Sequence, residues 1–532
     1  MTILRAAYIW IAALILGPVC CSAQQDLHKC WVHFTDKHGA NFDPNTYFHP
    51  KALARRAQLG LDPADSLNWP VSPDYLRETQ ALLVTHTATS RWLNLVVGYA
   101  SQDDIEALRA LPFVREVRLE DKPLEMLQAL ETLPTGYDRN VLEAQTAVLG
   151  RCHFEAEGLN GQGLRIAVLD AGFSGVDERP AFAHLWDQGR IVASYDFLRK
   201  RENVFVHSSH GAHVLSCIAG KVDTVPMGLA TGAEFILCRT EKARFEYRGE
   251  EEHWLEAVEY ADRLGADIIN SSLGYTNTRY YQYEMDGRTA GVTQSARIAA
   301  RLGMLVVNAA GNEGDTWWQV IAAPADADSV LAVGAVDPET RMRSGFSSFG
   351  PSSDGRIKPD VAAFGWAYAS GPRRNEVVPG TSFASPLIAG FAACVWQAHP
   401  DWNNMQVLEA VRKAGHLYPY YDYSYGYGLP QADRALGLSA EADTTFDVSV
   451  HKGRLVLTVR EGSAPEANCE GGIFATLPHT VHCHFQTPGK GLSYYATYAV
   501  VPEERITLNL KPYRGMILRI YCNGYLYERK LE

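Results

Sequence analysis

The chain has no surplus of positive charge. Its 49 Lys and Arg stand against 61 Asp and Glu, a formal net charge of −12, with no basic block anywhere. Nucleic acid, which is gripped by clustered Lys and Arg, is therefore not an expected partner. Beyond the N-terminus no run is apolar enough to cross a bilayer, so no membrane span is expected. There is no internal repeat and no low-complexity linker, and length alone suggests about three folded units. No loop with the ligand spacing of a calcium site stands out. Cysteine is sparse, with 10 in 532 residues. Cys20 and Cys21 lie in the leader described next. Cys217 and Cys394 fall in apolar helical stretches, where buried free thiols are expected. Among Cys469, Cys483 and Cys522 the expected bridge is Cys469–Cys483, and the fold is not expected to depend on it.

What is present begins with a leader. Arg5 precedes an apolar run over 6–16, Gly17-Pro18 break it, and Cys21-Ser22-Ala23 offers small residues for cleavage. This is the pattern of a signal peptide over 1–23, so the protein is expected to be secreted: extracellular, periplasmic or at the cell surface. The remainder, 46% hydrophobic and 21% charged overall, reads as soluble globular protein with a large core. Three regimes follow. Residues 24–135 mix strands (30–34, 92–97, 114–119) with helices (50–57, 103–111), a small α+β unit. Residues 136–440 alternate near-continuous apolar strands (164–170, 234–239, 267–272, 304–308, 330–336) with helices such as 254–264 and 293–302. That is the signature of an α/β, doubly wound, mostly parallel sheet covered on both faces. Residues 441–532 show short alternating runs at 446–450, 454–459 and 506–510, a small all-β sandwich-like domain.

Four stretches carry reactive side chains. Gly380-Thr381-Ser382-Phe383-Ala384-Ser385-Pro386 places a hydroxyl just before an apolar helical run; alone, Ser382 would be no more than a helix cap. A serine becomes a nucleophile only with a base beside it and donors for the oxyanion it creates. Asp170 ends the apolar strand Ile166-Ala167-Val168-Leu169, where catalytic groups of parallel sheets gather. His210 opens an apolar helix within His207-Ser208-Ser209-His210-Gly211-Ala212-His213. Asn312, in Asn308-Ala309-Ala310-Gly311-Asn312, is an uncharged N–H donor at the end of another buried strand.

Together these stretches, in the order Asp, His, Asn, Ser, resemble the subtilisin-like serine peptidases (subtilases, the S8 family) of the secreted bacterial type with an N-terminal pro-segment. Asn270-Ser271-Ser272-Leu273-Gly274, Phe346-Ser347-Ser348-Phe349-Gly350-Pro351 and Gly355-Arg356-Ile357-Lys358-Pro359-Asp360 add to the likeness. It implies a serine endopeptidase in which Ser382 attacks, His210 moves the proton, Asp170 orients the imidazole and Asn312 receives the oxyanion. Ser272, Leu273 and Gly274 would pair with substrate backbone and, with Ala309, Ala310 and Gly311, wall a pocket roomy enough for a large apolar side chain before the cleaved bond. Residues 24–135 resemble the family's inhibitory pro-segment, with the cut expected between Glu120 and Ala144. Partners are then protein or peptide substrates and the chain's own pro-segment. No cofactor is implied for the chemistry, and structural calcium is left open. The likeness is incomplete at Ala171, where the family usually has Ser or Thr, and at Ala212, where it usually has Thr; neither substitution removes a reacting atom.

Three other readings compete. A catalytically silent relative that binds peptides would keep the fold, but all four reacting positions are intact. His207, His210 and His213 suggest zinc, yet a three-residue spacing fans side chains around a helix, whereas metal helices use i and i+4. His479, His482 and His484 with Cys483 form a second cluster, expected to lie on a surface strand.

Overall fold

The computed structural model describes residues 27–120, 138–242, 249–439, 443–461, 479–501 and 503–532. The expected leader, Cys469 and most of the expected processing stretch lie outside these residues.

The N-terminal unit is a four-stranded antiparallel sheet in the order Thr85–Ser90, Leu95–Ala100, His28–Phe34, Val114–Leu119. Helix Gln102–Ala110 packs on it and buries Ile105 and Leu108 against Val32, Phe34, Val96 and Val117. Ser101 starts that helix by accepting the Asp104 N–H, and Asp103 and Asp104 face the positive end of its dipole. The strand expected from residue 92 begins at Leu95, because 91–94 form the hairpin turn, with Asn94 at φ 50°.

The middle region holds a seven-stranded sheet in the order Val361–Phe364, Val330–Val336, Leu305–Ala309, Ile268–Ser271, Arg165–Asp170, Glu234–Arg239, Ile191–Asp196. Every pairing in it is parallel. Ile166 and Val168 join the core under helices His210–Ala219 and Thr381–Ala398, while Ala167 and Leu169 join the one under helices Glu250–Arg263 and Gly291–Arg301. Both faces of each central strand are thus buried, which is why these strands read as unbroken apolar runs.

The C-terminal unit is a sandwich. One sheet runs Phe446–His451, Arg454–Val459, Arg505–Asn509; the other runs Leu492–Val500, His479–Gln486, Ile517–Cys522, Tyr525–Lys530. Val481, Cys483 and Phe485 point into its core with Leu455, Leu457 and Ile520. His482 and His484 take the opposite face, and there the expectation of a surface strand fails. They are 2% and 0% exposed, because the tyrosine-rich segment 418–427 of the middle region packs on them. Tyr420 stacks on His484 at 4.8 Å, and His484 Nδ1 lies 2.8 Å from the Tyr421 carbonyl.

The expected Cys469–Cys483 bridge is likewise overturned. Cys483 is a free thiol, committed to the sandwich core, and the disulfide-bonded cysteine among the described residues is Cys152. Cys217 and Cys394 are buried and free, as anticipated, and so are Cys30, Cys238 and Cys522.

The N-terminal unit docks on the acidic face of helix Glu250–Arg263. Asp262 accepts from Arg55 (2.6 Å), Arg56 (2.7 Å) and Arg91 (3.0 Å). Glu259 accepts from Ser90 Oγ (2.6 Å) and from the backbone N–H groups of Arg91 and Trp92 (both 3.2 Å). Lys29 lies 3.5 Å from Glu252 and 2.9 Å from Glu120.

Candidate active site

Asp170 is the last residue of strand Arg165–Asp170 and is fully buried. The chain turns sharply at Gly172 (φ 146°), where a Cβ would meet the Val206 carbonyl at 2.6 Å, so only glycine lets the aspartate loop approach the histidine loop so closely. Gly211 N–H donates to the Gly172 carbonyl and fixes that approach. His210 is the first residue of its helix, and its backbone N–H donates to Ser208 Oγ. Its Nδ1 stands 2.9 Å from both carboxylate oxygens of Asp170. Burial pushes the His210 pKa down, but the Asp170 charge and hydrogen bond outweigh burial, and the net shift is upward. An Asp-bound Nδ1–H leaves Nε2 as the basic nitrogen.

Ser382 lies in the first turn of helix Thr381–Ala398, which begins earlier than the expected run and contains Pro386. Having no N–H, Pro386 leaves the carbonyl four residues back, that of Ser382, without its helical donor. Ser272 Oγ supplies the missing bond at 2.7 Å. Ser382 Oγ in turn donates to the Ser272 carbonyl at 3.1 Å. Asn312 is fixed from the same helix end: its Oδ1 accepts from Thr381 N (2.9 Å) and Thr381 Oγ1 (3.0 Å). That commits the oxygen prong of the amide and leaves the NH2 prong uncommitted to Thr381. Gly311 (φ 115°) precedes it, and a Cβ there would press on Ser348 Oγ at 2.8 Å.

These groups meet in a cleft of about 220 Å³ lined by His210, Ser382, Asn312, Ser272, Leu273, Gly274, Ala309 and Gly311. Asp170 sits behind His210. Ala310 stands behind the wall, packed with Ile321, Ala325 and Ala332. Glu241, Lys242, Glu250, Tyr275 and Glu313, which sequence pattern alone does not mark as site residues, also line the cleft. Glu313 Oε2 accepts the Asn312 N–H at 2.8 Å. Its place inside the asparagine motif was the available signal.

The histidine triplet does not converge. His207 lies in the loop before the helix at φ 73°. His213 Nε2 faces Glu376 at 3.5 Å, and burial first, with the nearby His210 charge, lowers its pKa to about 4. Among the described residues no group of three or more His, Cys, Asp or Glu side chains is arranged to hold a metal ion. No helix among them is long and apolar enough to cross a membrane.

Residues 161–428 match the model of the Subtilase family, and residues 29–133 match that of the Bacteroidota peptidase S8 propeptide domain. An alkaline protease of Alkalihalobacillus alcalophilus is 28% identical over 340 residues, 63% of this chain and 77% of the relative. Subtilisin BL of Lederbergia lenta is 30% identical over 283 residues, 52% of this chain and 92% of the relative. Among solved structures, MycP1 from the ESX-1 type VII secretion system aligns with 61% of this chain and 93% of its own at 22% identity, with a TM-score of 0.47.

Proposed function

Because this chain belongs to the subtilase family and is a serine endopeptidase with an N-terminal propeptide domain, we propose that Ser382, His210, Asp170 and Asn312 carry its chemistry. His210 Nε2 takes the Ser382 proton as Oγ attacks the scissile carbonyl, then returns it to the leaving amine. Asp170 holds the Nδ1–H tautomer and stabilises the imidazolium. The Asn312 amide and the Ser382 backbone N–H, at the start of a buried helix, receive the oxyanion. The observation that carries this reading is the fully buried Asp170 carboxylate with both oxygens 2.9 Å from His210 Nδ1, in a chain whose Ser382 and His210 line one cleft.

Small residues at Gly274, Ala309 and Gly311 favour a large apolar side chain before the cleaved bond. The Glu252, Glu259 and Asp262 contacts support residues 24–135 as an inhibitor that stays docked after cleavage between Glu120 and Ala144, with the peptidase over 136–440 and the sandwich over 441–532. The leader pattern supports export. Ser382→Ala is expected to remove peptidase activity: in the subtilisin that serves as the reference case, loss of the serine costs on the order of 10⁶ in kcat. Casein turnover by purified wild type and variant, alongside fluorophosphonate labelling, makes the check. Near-normal turnover by Ser382→Ala overturns the assignment.

A further inference from the structure

The serine helix is tied to the substrate edge by a closed circuit of hydrogen bonds that the triad does not explain. Ser385 Oγ donates to Asn270 Oδ1 (2.9 Å), and Asn270 Nδ2 donates to Ser272 Oγ (3.1 Å). Ser272 Oγ donates to the Ser382 carbonyl (2.7 Å), and Ser382 Oγ donates back to the Ser272 carbonyl (3.1 Å). Asn270 and Ser385 are fully buried, and Ser272 and Ser382 are nearly so. Each link has a cause. Pro386 orphans the Ser382 carbonyl, Ser272 Oγ satisfies it, and the remaining lone pair of that oxygen accepts from Asn270, two residues back on the strand Ile268–Ser271 that leads into Ser272. Ser385 then satisfies the Asn270 oxygen, so no buried polar prong of the circuit is left without a partner.

The last link has a chemical consequence. A hydroxyl has one proton to donate, and here Ser382 spends it on the Ser272 carbonyl, so in this state it is not donated to His210. The same carbonyl faces the substrate. The Leu273 carbonyl accepts from Asn308 Nδ2 at 2.9 Å on one side of the extended segment. Ser272 and Gly274, one residue either way, therefore present their backbone groups to the other side, along the cleft they line. A peptide added as a strand to this edge donates an N–H to the acceptor on which the nucleophile rests.

We propose that Asn270 and Ser385 are positioning residues which, through Ser272, hold the Ser382 hydroxyl on the Ser272 carbonyl until a substrate backbone N–H takes that carbonyl and the hydroxyl turns to His210. This rests on Ser382 being the nucleophile. The circuit sets the resting direction of Oγ, and the extended substrate changes it, so a bound ligand with no N–H at that position leaves the hydroxyl pointing away from its base.

The test compares the matured wild-type enzyme with Ser385→Ala, Ser385→Thr and Asn270→Ala, all produced from the full chain. One peptide is used, together with the same peptide N-methylated at the residue preceding the cleaved bond, whose N–H is the acyl-side donor nearest the carbonyl that Ser382 Oγ attacks and so nearest the Ser272 carbonyl it rests on. Ser385→Ala is expected to lower kcat about tenfold, as a nucleophile displaced by a fraction of an ångström does, with KM within about twofold. Ser385→Thr, which keeps the hydroxyl, restores most of that loss, and N-methylation lowers kcat in the wild type. Thermal melting of each variant separates positioning from folding. The proposal is overturned by an unchanged kcat in Ser385→Ala, by a loss that follows Tm and is not restored in Ser385→Thr, or by an N-methyl effect confined to KM. Asn270→Ala, if it folds, repeats the Ser385→Ala pattern, and wild-type kinetics in it also overturn the proposal. Activity surviving Ser382→Ala would instead sink the nucleophile assignment, which is a separate failure.

Discussion

At the residue scale the centre of the molecule is one carboxylate facing one imidazole. Asp170 raises the His210 pKa above the ordinary value of 6.5 despite burial. The base form needed for attack then appears only as pH rises past that elevated pKa, so the acid limb of kcat/KM is expected above 6.5. Asp170→Asn removes the charge, moves that limb down, and costs about 10⁴ in kcat if it behaves as the corresponding change in trypsin does. A pH–rate profile of both enzymes measures the two effects together, and a limb that stays put in Asp170→Asn contradicts the role given to Asp170. The same pKa has a stability consequence of the opposite sense. Protonated His210 gains from Asp170, so this contribution is fully present below 6.5 and is lost as pH rises through the folded pKa. Asp170, His210, Asn312 and Ser382 were legible in the sequence because each sits in a short, unusual string at a strand or helix end. Ser385 lies in the serine's own string and Asn270 opens the separate stretch 270–274, and neither string shows what the two residues do. Their meaning comes from a contact between positions 115 apart in sequence, although Pro386, four residues after Ser382, did announce an orphaned carbonyl.

At the element scale, helix Glu250–Arg263 does two jobs with two faces. One side carries Trp254, Leu255 and Val258 into the core beneath the sheet; the other presents carboxylates to the N-terminal unit. Burial raises the pKa of Glu251, Glu252 and Glu259, and takes Glu256, which also pairs with Lys200, to about 7. A carboxylate with a raised pKa favours the docked state while protonated. Glu252, Glu256 and Glu259 touch the docked unit at Thr87, Thr89 and Ser90, so their share of the docking is lost as pH rises from the ordinary carboxylate range through about 7. After processing, the fraction of N-terminal unit that co-elutes with the peptidase is expected to fall between pH 5 and pH 8. Glu256→Gln flattens that dependence, and equal retention across the range contradicts it. Glu256 is partly exposed, and Lys200 moderates its share. Elements with strong patterns were read correctly: strands Glu234–Arg239 and Val330–Val336 fall where expected. The strands that went unnoticed lie mostly at sheet edges. Thr85–Ser90, sequence Thr-His-Thr-Ala-Thr-Ser, has almost no apolar residue to show a period. Ile191–Asp196, whose burial is partial along most of its length, closes one edge of the large sheet.

At the scale of the whole molecule, the C-terminal sandwich is held by a tyrosine-rich segment rather than tethered by a linker. Tyr420 is fully buried between His484 and Tyr521, Tyr423 OH accepts the Leu492 N–H at 3.1 Å, and Tyr521 OH donates to the His416 carbonyl. The segment that receives these contacts is also bonded next to the large sheet, with Tyr427 N–H on the carbonyl of Asp360, just before the edge strand Val361–Phe364. Removing 441–532 uncovers the rings of Tyr420 and its neighbours, and a fully covered aromatic side chain buries on the order of 150–250 Å². The expected result is a Tm lower by at least about 10 °C, read by thermal melting of full-length and truncated enzyme. An unchanged Tm would make the sandwich an independent appendage. The sandwich itself was legible from its alternating runs. Which face of His482 and His484 is buried was not, because alternation reports that a strand has two faces and says nothing of what covers each one.

The free thiols described with the fold bear on how long the enzyme lasts. Cys30, Cys217, Cys238, Cys394, Cys483 and Cys522 are all buried. Burial pushes their pKa values up, to about 12 for Cys217, Cys483 and Cys522. As thiols rather than thiolates they are inert while the fold persists. A molecule that opens exposes reduced cysteines in the same chain as the disulfide at Cys152, and a thiolate that attacks the bond before the chain closes again reshuffles it. Survival of the enzyme in an oxidising medium is accordingly governed by how often and for how long the fold opens, and not by the thiols of the closed molecule.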